Sequence, residues 1–479
     1  VTSDGVTSGG DAIARDRWLL GALGAPLVVV VLWLAWRLGD GAAGLAYLAG
    51  YVLATLPGWP VGWRLFGRRH AAGWIAGALL GYAFTAWTVW VVTAVGLTLP
   101  IERGVAWAIL TAVLWGTLGR GRRDPLVALP VWARRDTLAL LALLWVVPVL
   151  EAPAFVNVGA RDADGARLYR AYFTADVVWH VALVNEVKRF DLPLRNPYTA
   201  DRDLHYYWTY FLVPPTIASM SPRLFGDDPM PWVLINAVGA GLLFTGALYV
   251  FAWCAWPRAG LALASVALVF LAASAEGAYV LQMLWRDGQP LSELKNYNID
   301  AATRWVFDGL TVDNLPRSLW YTPQHAGACA LGLLALVTAV AHGATTTVAT
   351  RLLAGVALAA AVTFSPLLGG MFALIYGVAV TLQALLTDWR RAPLLVLGHA
   401  VAAVPVVAAI AALNAAGMID GAGGALHIGF VGYARRYPVS TLLFVLGPVL
   451  LPGLAALWPR RFPVALVPAA VGLVAGIAL

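Results

Sequence analysis

The sequence predicts an all-α, polytopic membrane helical bundle of about thirteen spans, and three observations predict it. Hydrophobic residues fill 61% of the 479 positions and charged residues 12%, with a mean hydropathy of +0.76, whereas a soluble domain carries roughly 25% charge. Apolar runs of ~20 residues recur along the whole chain, about the length that crosses a ~30 Å hydrocarbon layer at 1.5 Å per residue. The runs are nearly continuous in Leu, Ala, Val and Gly, without the alternation that a membrane barrel strand requires, so the spanning elements are helices.

Charge and cysteine usage exclude several classes. The net charge of +7 comes from arginines in short clusters between apolar runs, the pattern of topology signals and not of a nucleic-acid surface. Cys254 and Cys329 both fall inside expected spans and far apart, which suits packing and provides neither a disulfide framework nor a thiolate metal site. Lys stands only at 188 and 295 against abundant Arg and Ala, a composition that fits a GC-rich bacterial genome.

Taken in order, residues 1–16 read as a disordered cytoplasmic tail rich in Gly, Ser, Thr and Asp. Arg15 and Arg17 precede the apolar stretch 18–36, which exceeds the ~7–15 residues of a signal-peptide core and reads as a retained first helix. Further spans follow at 41–60, 73–98, 104–119 and 137–153, making residues 17–136 a four-span N-terminal extension. Arg64, Arg68 and Arg69 follow the second span, and Arg120, Arg122, Arg123, Arg134 and Arg135 follow the fourth. The bias of basic residues puts those connections and the N-terminus in the cytoplasm, and the segment after the fifth span outside.

The remaining core, 137–479, carries external loops at 154–229, 284–324 and 414–437, with later spans at 230–256, 259–283, 325–343, 351–365, 367–387, 393–413, 439–457 and 462–479. Residues 206–221, YYWTYFLVPPTIASMS, decide this topology. If they crossed, Arg258, Arg351, Arg390, Arg391, Arg460 and Arg461 would all lie outside, against the charge bias. Their Tyr and Trp content and Pro214-Pro215 place them along the outer interface instead. The acidic and basic loop residues then share one face.

The densest local signal is residues 176–215. Asp176 and His180 lie one turn apart on one helical face, where they could share a metal or a substrate hydroxyl, while Val177, Val181 and Val184 pack toward the membrane. Asp162 and Asp164 are the next acids in the same loop. A second signal is RSLWYTPQH, 317–325, just before a span. Arg317 offers a bidentate fork for phosphate, with Gln324 and His325 beside a helix start at Pro323 that directs free N–H groups the same way. Lys295 and Arg304 share that loop, and Arg435 and Arg436 break the charge bias in the last one. Glu276 lies within the span expected at 259–283, where a carboxylate needs a partner or an aqueous cavity, and Glu151 lies at the outer end of the fifth span. Trp179 and Trp208 could stack on a sugar. The bland alternatives are a solvated acid at Asp176 and interfacial anchoring at Arg317 and the aromatic residues.

Phe190-Asp191-Leu192-Pro193, Asn196-Pro197, Tyr206-Tyr207-Trp208 and Leu224-Phe225-Gly226 follow an acid on a juxtamembrane helix. In this order, together with the mid-chain stretch LLAGVALAAAVTFSP at 352–366, the sequence resembles the GT-C superfamily of membrane glycosyltransferases over most of 137–479. In that superfamily the acidic loop usually follows the first span, whereas four additional spans precede it here, so the resemblance implies a branch with an N-terminal extension. It implies a sugar moved from a polyprenyl-phosphate donor to an acceptor at the outer face of the bacterial inner membrane, in the cell envelope, with inversion. Asp176 would be the general base. His180, Arg317, Gln324, His325, Glu276, Tyr207 and Trp208 would contact substrate, and a divalent cation (Mg or Mn) could sit at Asp176 and His180. The expected partners are that donor and membrane lipids, with no nucleic acid. The competing class is a lipid-linked glycan flippase or transporter without transferase activity, which would also need a basic lipid-phosphate site. A scaffolding membrane subunit comes third.

Overall fold

The computed structural model describes residues 8–119, 124–155, 158–168, 175–272, 275–296, 322–342 and 346–419, with a few positions nearer the C-terminus. The chain forms two compact units, one of residues 1–168, 179–203 and 208–263, the other of 169–178, 204–207 and 264–479.

Helix α1 runs Ser8–Leu38, α2 Ala42–Thr55, α3 Trp59–Phe66, α4 Ala71–Ala94, α5 Pro100–Leu118, α6 Arg134–Leu144, α7 Ala152–Phe155 and α8 Ala175–Val187. After these come α9 Val213–Ser219, α10 Pro222–Phe225, α11 Met230–Ala255, α12 Ala259–Ala272 and α13 Glu276–Arg286. Among the described residues α14 Pro323–His342, α15 Val348–Phe364, α16 Pro366–Thr387 and α17 Ala392–Ala415 then follow. Two small antiparallel hairpins interrupt them, β1 (Ala160–Arg161) with β2 (Arg167–Leu168) and β3 (Arg195–Asn196) with β4 (Thr199–Asp203).

The all-α membrane architecture agrees with the sequence. Among the described residues, seven helices are long and apolar enough to cross a membrane: Trp18–Leu38, Ala71–Ala94, Pro100–Leu118, Met230–Ala255, Pro323–Ala341, Pro366–Thr387 and Ala392–Ala415. Other expected spans are interrupted or shorter. The 41–60 run breaks into α2, a 3-10 turn at Leu56–Gly58 and α3, because Pro57 and Pro60 lack the N–H groups that would continue the ladder. Trp115 Nε1 donates to the Leu56 carbonyl at 2.9 Å, replacing the bond that Pro60 cannot give. The fifth expected span is α6 followed by a π-helical turn at Val147–Glu151 that contains Pro148. The expected span 259–283 is instead two helices, α12 and α13, and Glu276 stands at the first position of the second. Helix α15 has 17 residues. The spans expected at 439–457 and 462–479 lie almost wholly outside the described residues. The tail expected to be disordered over 1–16 becomes helical from Ser8, since Asp11 to Arg17 contain no helix breaker.

In the first unit α3 approaches α4 backbone to backbone. A Cβ on Gly62 would collide with the Gly73 carbonyl and Gly77, and one on Gly77 with Trp59 Cα, so small residues at this spacing set the interhelix distance. At one end of this unit, Leu126 and Val127 N–H groups donate to the Arg64 and Leu65 carbonyls at 2.9 Å. His70 packs there between Trp132 and Trp253, with ring centroids at 4.7 and 5.1 Å, so the two connections expected in the cytoplasm meet. At the opposite end the buried Arg103 donates to the Thr98 carbonyl and to Ser219 Oγ, and its guanidinium lies over Phe190.

Residues 206–221 do not form a span. Thr209–Leu212 is a 3-10 turn leading into the seven-residue α9, and eleven helical residues rise only about 16–20 Å, short of a ~30 Å core. The proline pair occupies the first turn of α9, where a missing N–H costs nothing. One expectation changes. Trp208, Tyr210, Phe211, Leu212 and Val213 are buried inside the protein and do not line an interface: the Tyr82 hydroxyl donates to the Tyr210 carbonyl at 2.9 Å, and Trp208 meets Trp90 edge to face.

Candidate functional site

In the second unit, the start of α14, the junction between α15 and α16, and the residues after α17 come to one end. Short connections between successive helices make neighbours antiparallel, so these three points share a side. Ser365 separates α15 from α16, and it lies beside His325 in the first turn of α14: His325 Nδ1 is 2.9 Å from Ser365 Oγ. His205 Nδ1 donates to the Gly417 carbonyl at 2.9 Å, which brings residues 204–207 to the same place.

Those four residues present two stacked tyrosines, Tyr206 and Tyr207, with ring centroids 4.3 Å apart and planes 20° from parallel. Gln324 Nε2 donates to Tyr206 Oη at 3.3 Å. His325 Nε2 is at 3.5 Å from Tyr207 Oη, a long hydrogen bond. Gln324 and Ser365 are buried, whereas His325, Tyr206 and Tyr207 are half-buried. Burial raises the Tyr207 phenol above its ordinary range, the Asp176 charge raises it further, and the hydrogen bond with Tyr206 opposes both.

Asp176 is the second residue of α8 and half-buried. The N-terminal turn of a helix favours a carboxylate electrostatically. Four of the expected site residues, Asp176, Tyr207, Gln324 and His325, therefore gather in one unit from three stretches of chain.

Two of the others, His180 and Trp208, belong to the first unit. The boundary between the units falls within α8, after Val178. In the first unit His180 is buried with its ring 4.7 Å from that of Phe211. It belongs to the buried stripe Val177, His180, Val184 and Val187, whose spacing is that of one helix face. The valines expected to face lipid thus face protein at 177 and 184. Trp208 is part of the first unit's core, and Trp179 stacks on Tyr198 at 5.3 Å. Glu276 begins α13, while Arg317, Arg304 and Arg435 lie outside the described residues. Asp162 serves its own hairpin, its Oδ1 accepting from the Asp164 and Ala166 N–H groups at 3.0 and 2.8 Å, an Asx turn. Among the described residues, no three His, Cys, Asp or Glu side chains gather as metal ligands.

Sequence reasoning passed over Ser365 as a site residue. Its signal was a serine before proline between two apolar helices, the pattern of an N-cap, and nothing in that pattern distinguishes a cap from a partner for a distant histidine. It also understated the burial of Glu151 and overlooked Arg103.

No protein-family model, curated protein or solved structure matches this chain.

Proposed function

We propose that the protein transfers a sugar from a polyprenyl-phosphate donor to a hydroxyl acceptor at one face of the membrane. The observation that carries this reading is a half-buried carboxylate, Asp176, in the same unit as the polar group Tyr207, Gln324 and His325 at the start of an apolar helix, with its charge raising the Tyr207 phenol. Glycosyl transfer needs a base for the acceptor and hydrogen-bond donors for the departing phosphate; the His325 and Ala326 N–H groups at the start of α14 donate to the Thr322 carbonyl at 2.8 and 3.2 Å, so the donors offered here are side chains.

In this reading Asp176 takes the acceptor's hydroxyl proton as that oxygen attacks the anomeric carbon. The bond from the anomeric carbon to the phosphate oxygen breaks, and polyprenyl phosphate leaves on the face opposite the attack, with inversion. Gln324 and His325 donate to the phosphate oxygens as their charge grows. Location in a bacterial inner membrane, with the site external, belongs to the same proposal.

The test is release of polyprenyl phosphate by the full chain in lipid nanodiscs, supplied with a panel of polyprenyl-phosphate sugars and candidate acceptors. Asp176→Asn should lower turnover by at least about a hundredfold, the usual scale of general base catalysis, with donor binding retained. Turnover unchanged in the variant, or movement of intact donor between leaflets without sugar release, defeats the proposal and favours a carrier.

A further inference from the structure

We propose that Ser365 is a positioning residue that holds the imidazole of His325 in one orientation, with Nε2 turned to the substrate side beside Tyr207. The inference rests on the reading of that cluster as a functional site. Three observations carry it, and the first is a bond that Ser365 does not make. Ser365 occupies the N-cap of α16, with extended backbone (φ −152°, ψ 101°) and Pro366 immediately inside the helix. Serine is favoured there because its hydroxyl accepts from the second or third N–H of the helix. Here the hydroxyl makes no cap bond.

Second, the hydroxyl is directed at His325 Nδ1, 2.9 Å away and 40 residues distant in sequence. Third, Ser365 is fully buried, so its hydroxyl has no competing water, and a buried hydroxyl gains most from a protein partner. A partner on Nδ1 fixes the orientation of a histidine ring. With Nδ1 occupied by Ser365, Nε2 is the nitrogen directed at Tyr207 Oη. A local cap has thus been exchanged for orientation of a site residue on another helix.

The experiment uses the full chain in lipid nanodiscs and reads the rate at which diethyl pyrocarbonate modifies His325, followed by peptide mass spectrometry, with His325→Gln identifying the adduct. This readout does not depend on any transferase activity. Ser365→Ala should raise the modification rate about fivefold, the factor equivalent to a net hydrogen bond of about 1 kcal/mol. Ser365→Thr, which keeps the hydroxyl, should restore the original rate. Ser365→Cys, close in volume and a weaker partner, should move the rate in the same direction as alanine and covers the case in which the alanine variant does not fold. Wild-type rates in both the Ala and Cys variants, or no restoration by Thr in a protein with the wild-type melting temperature, overturn the proposal. A labelling shift in a protein that turns over no donor would uphold the positioning role while defeating the transferase reading; unchanged labelling with turnover lost in Asp176→Asn would do the reverse.

Discussion

Asn236 Nδ2 donates to the Tyr82 hydroxyl at 2.6 Å, while its Oδ1 accepts from the Tyr47 hydroxyl at 2.8 Å. The Tyr82 hydroxyl passes the chain on to the Tyr210 carbonyl. One fully buried amide thus ties α2, α4 and α11 to the turn that begins the 209–219 segment. Such a network is strong when complete and costly when broken. Asn236→Ala should lower stability by at least about 2 kcal/mol, the penalty for orphaning buried hydroxyls. In a background of Tyr47→Phe and Tyr82→Phe the same change should cost much less. Thermal unfolding in one detergent checks this, and equal costs in both backgrounds would contradict it.

Glu151 is fully buried at the end of the π-helical turn, and among the described residues neither carboxylate oxygen has a hydrogen-bond partner. Its head group occupies the space that Gly241 leaves on α11: a Cβ there would collide with Oε2. Gly241→Ala should therefore destabilise the protein by about 1–3 kcal/mol, as overpacking does. Combining it with Glu151→Ala should recover part of that loss, because the colliding atoms are gone. Additive melting-temperature losses in the double variant would refute the packing account.

His70 caps α4 through Nδ1, which accepts from the Ala72 N–H at 3.0 Å, and its Nε2 has no partner among the described residues. Burial lowers its pKa from 6.5 to about 4, against a smaller raising effect of Asp136. Because the folded value is depressed, the unfolded chain takes up the proton first. Stability from this site is complete above pH 6.5 and falls as pH drops toward 4. His70→Asn keeps a capping acceptor without the titration, so its melting temperature should fall less than the wild type's between pH 7 and pH 5. Parallel pH curves for the two proteins would contradict the assignment.

What could be read from the sequence follows physical range. Helix starts at Pro100, Pro323 and Pro366 agree within a few residues with the apolar runs, since proline at a first turn is a local signal. The short, non-spanning form of 206–221 followed from its prolines. Charge bias and loop placement put Asp176, Tyr207, Gln324 and His325 on one expected face, and the four belong to one compact unit. Burial was the part that could not be read. Nothing local separates His180, packed on Phe211, from Asp176 four residues earlier and half-exposed, because the difference lies in which other segments pack on each. Trp208 and Tyr210 went the same way, being aromatic residues that suit an interface and a protein core equally. Ser365 and Arg103 were invisible for a related reason: their partners, His325 and Ser219, are 40 and 116 residues away.

Asp176 and the tyrosine pair can act on one substrate only if the site end of the second unit faces a single compartment. Single cysteines at Val178 and His205, on that end, and at Trp389, between α16 and α17, can be labelled with a membrane-impermeant maleimide in sealed vesicles of known orientation, with Cys254 and Cys329 replaced by alanine. Val178→Cys and His205→Cys should react from the same side and Trp389→Cys only from the other. Reaction of Val178→Cys and His205→Cys from opposite sides would mean that Asp176 and the tyrosine pair cannot act on one substrate.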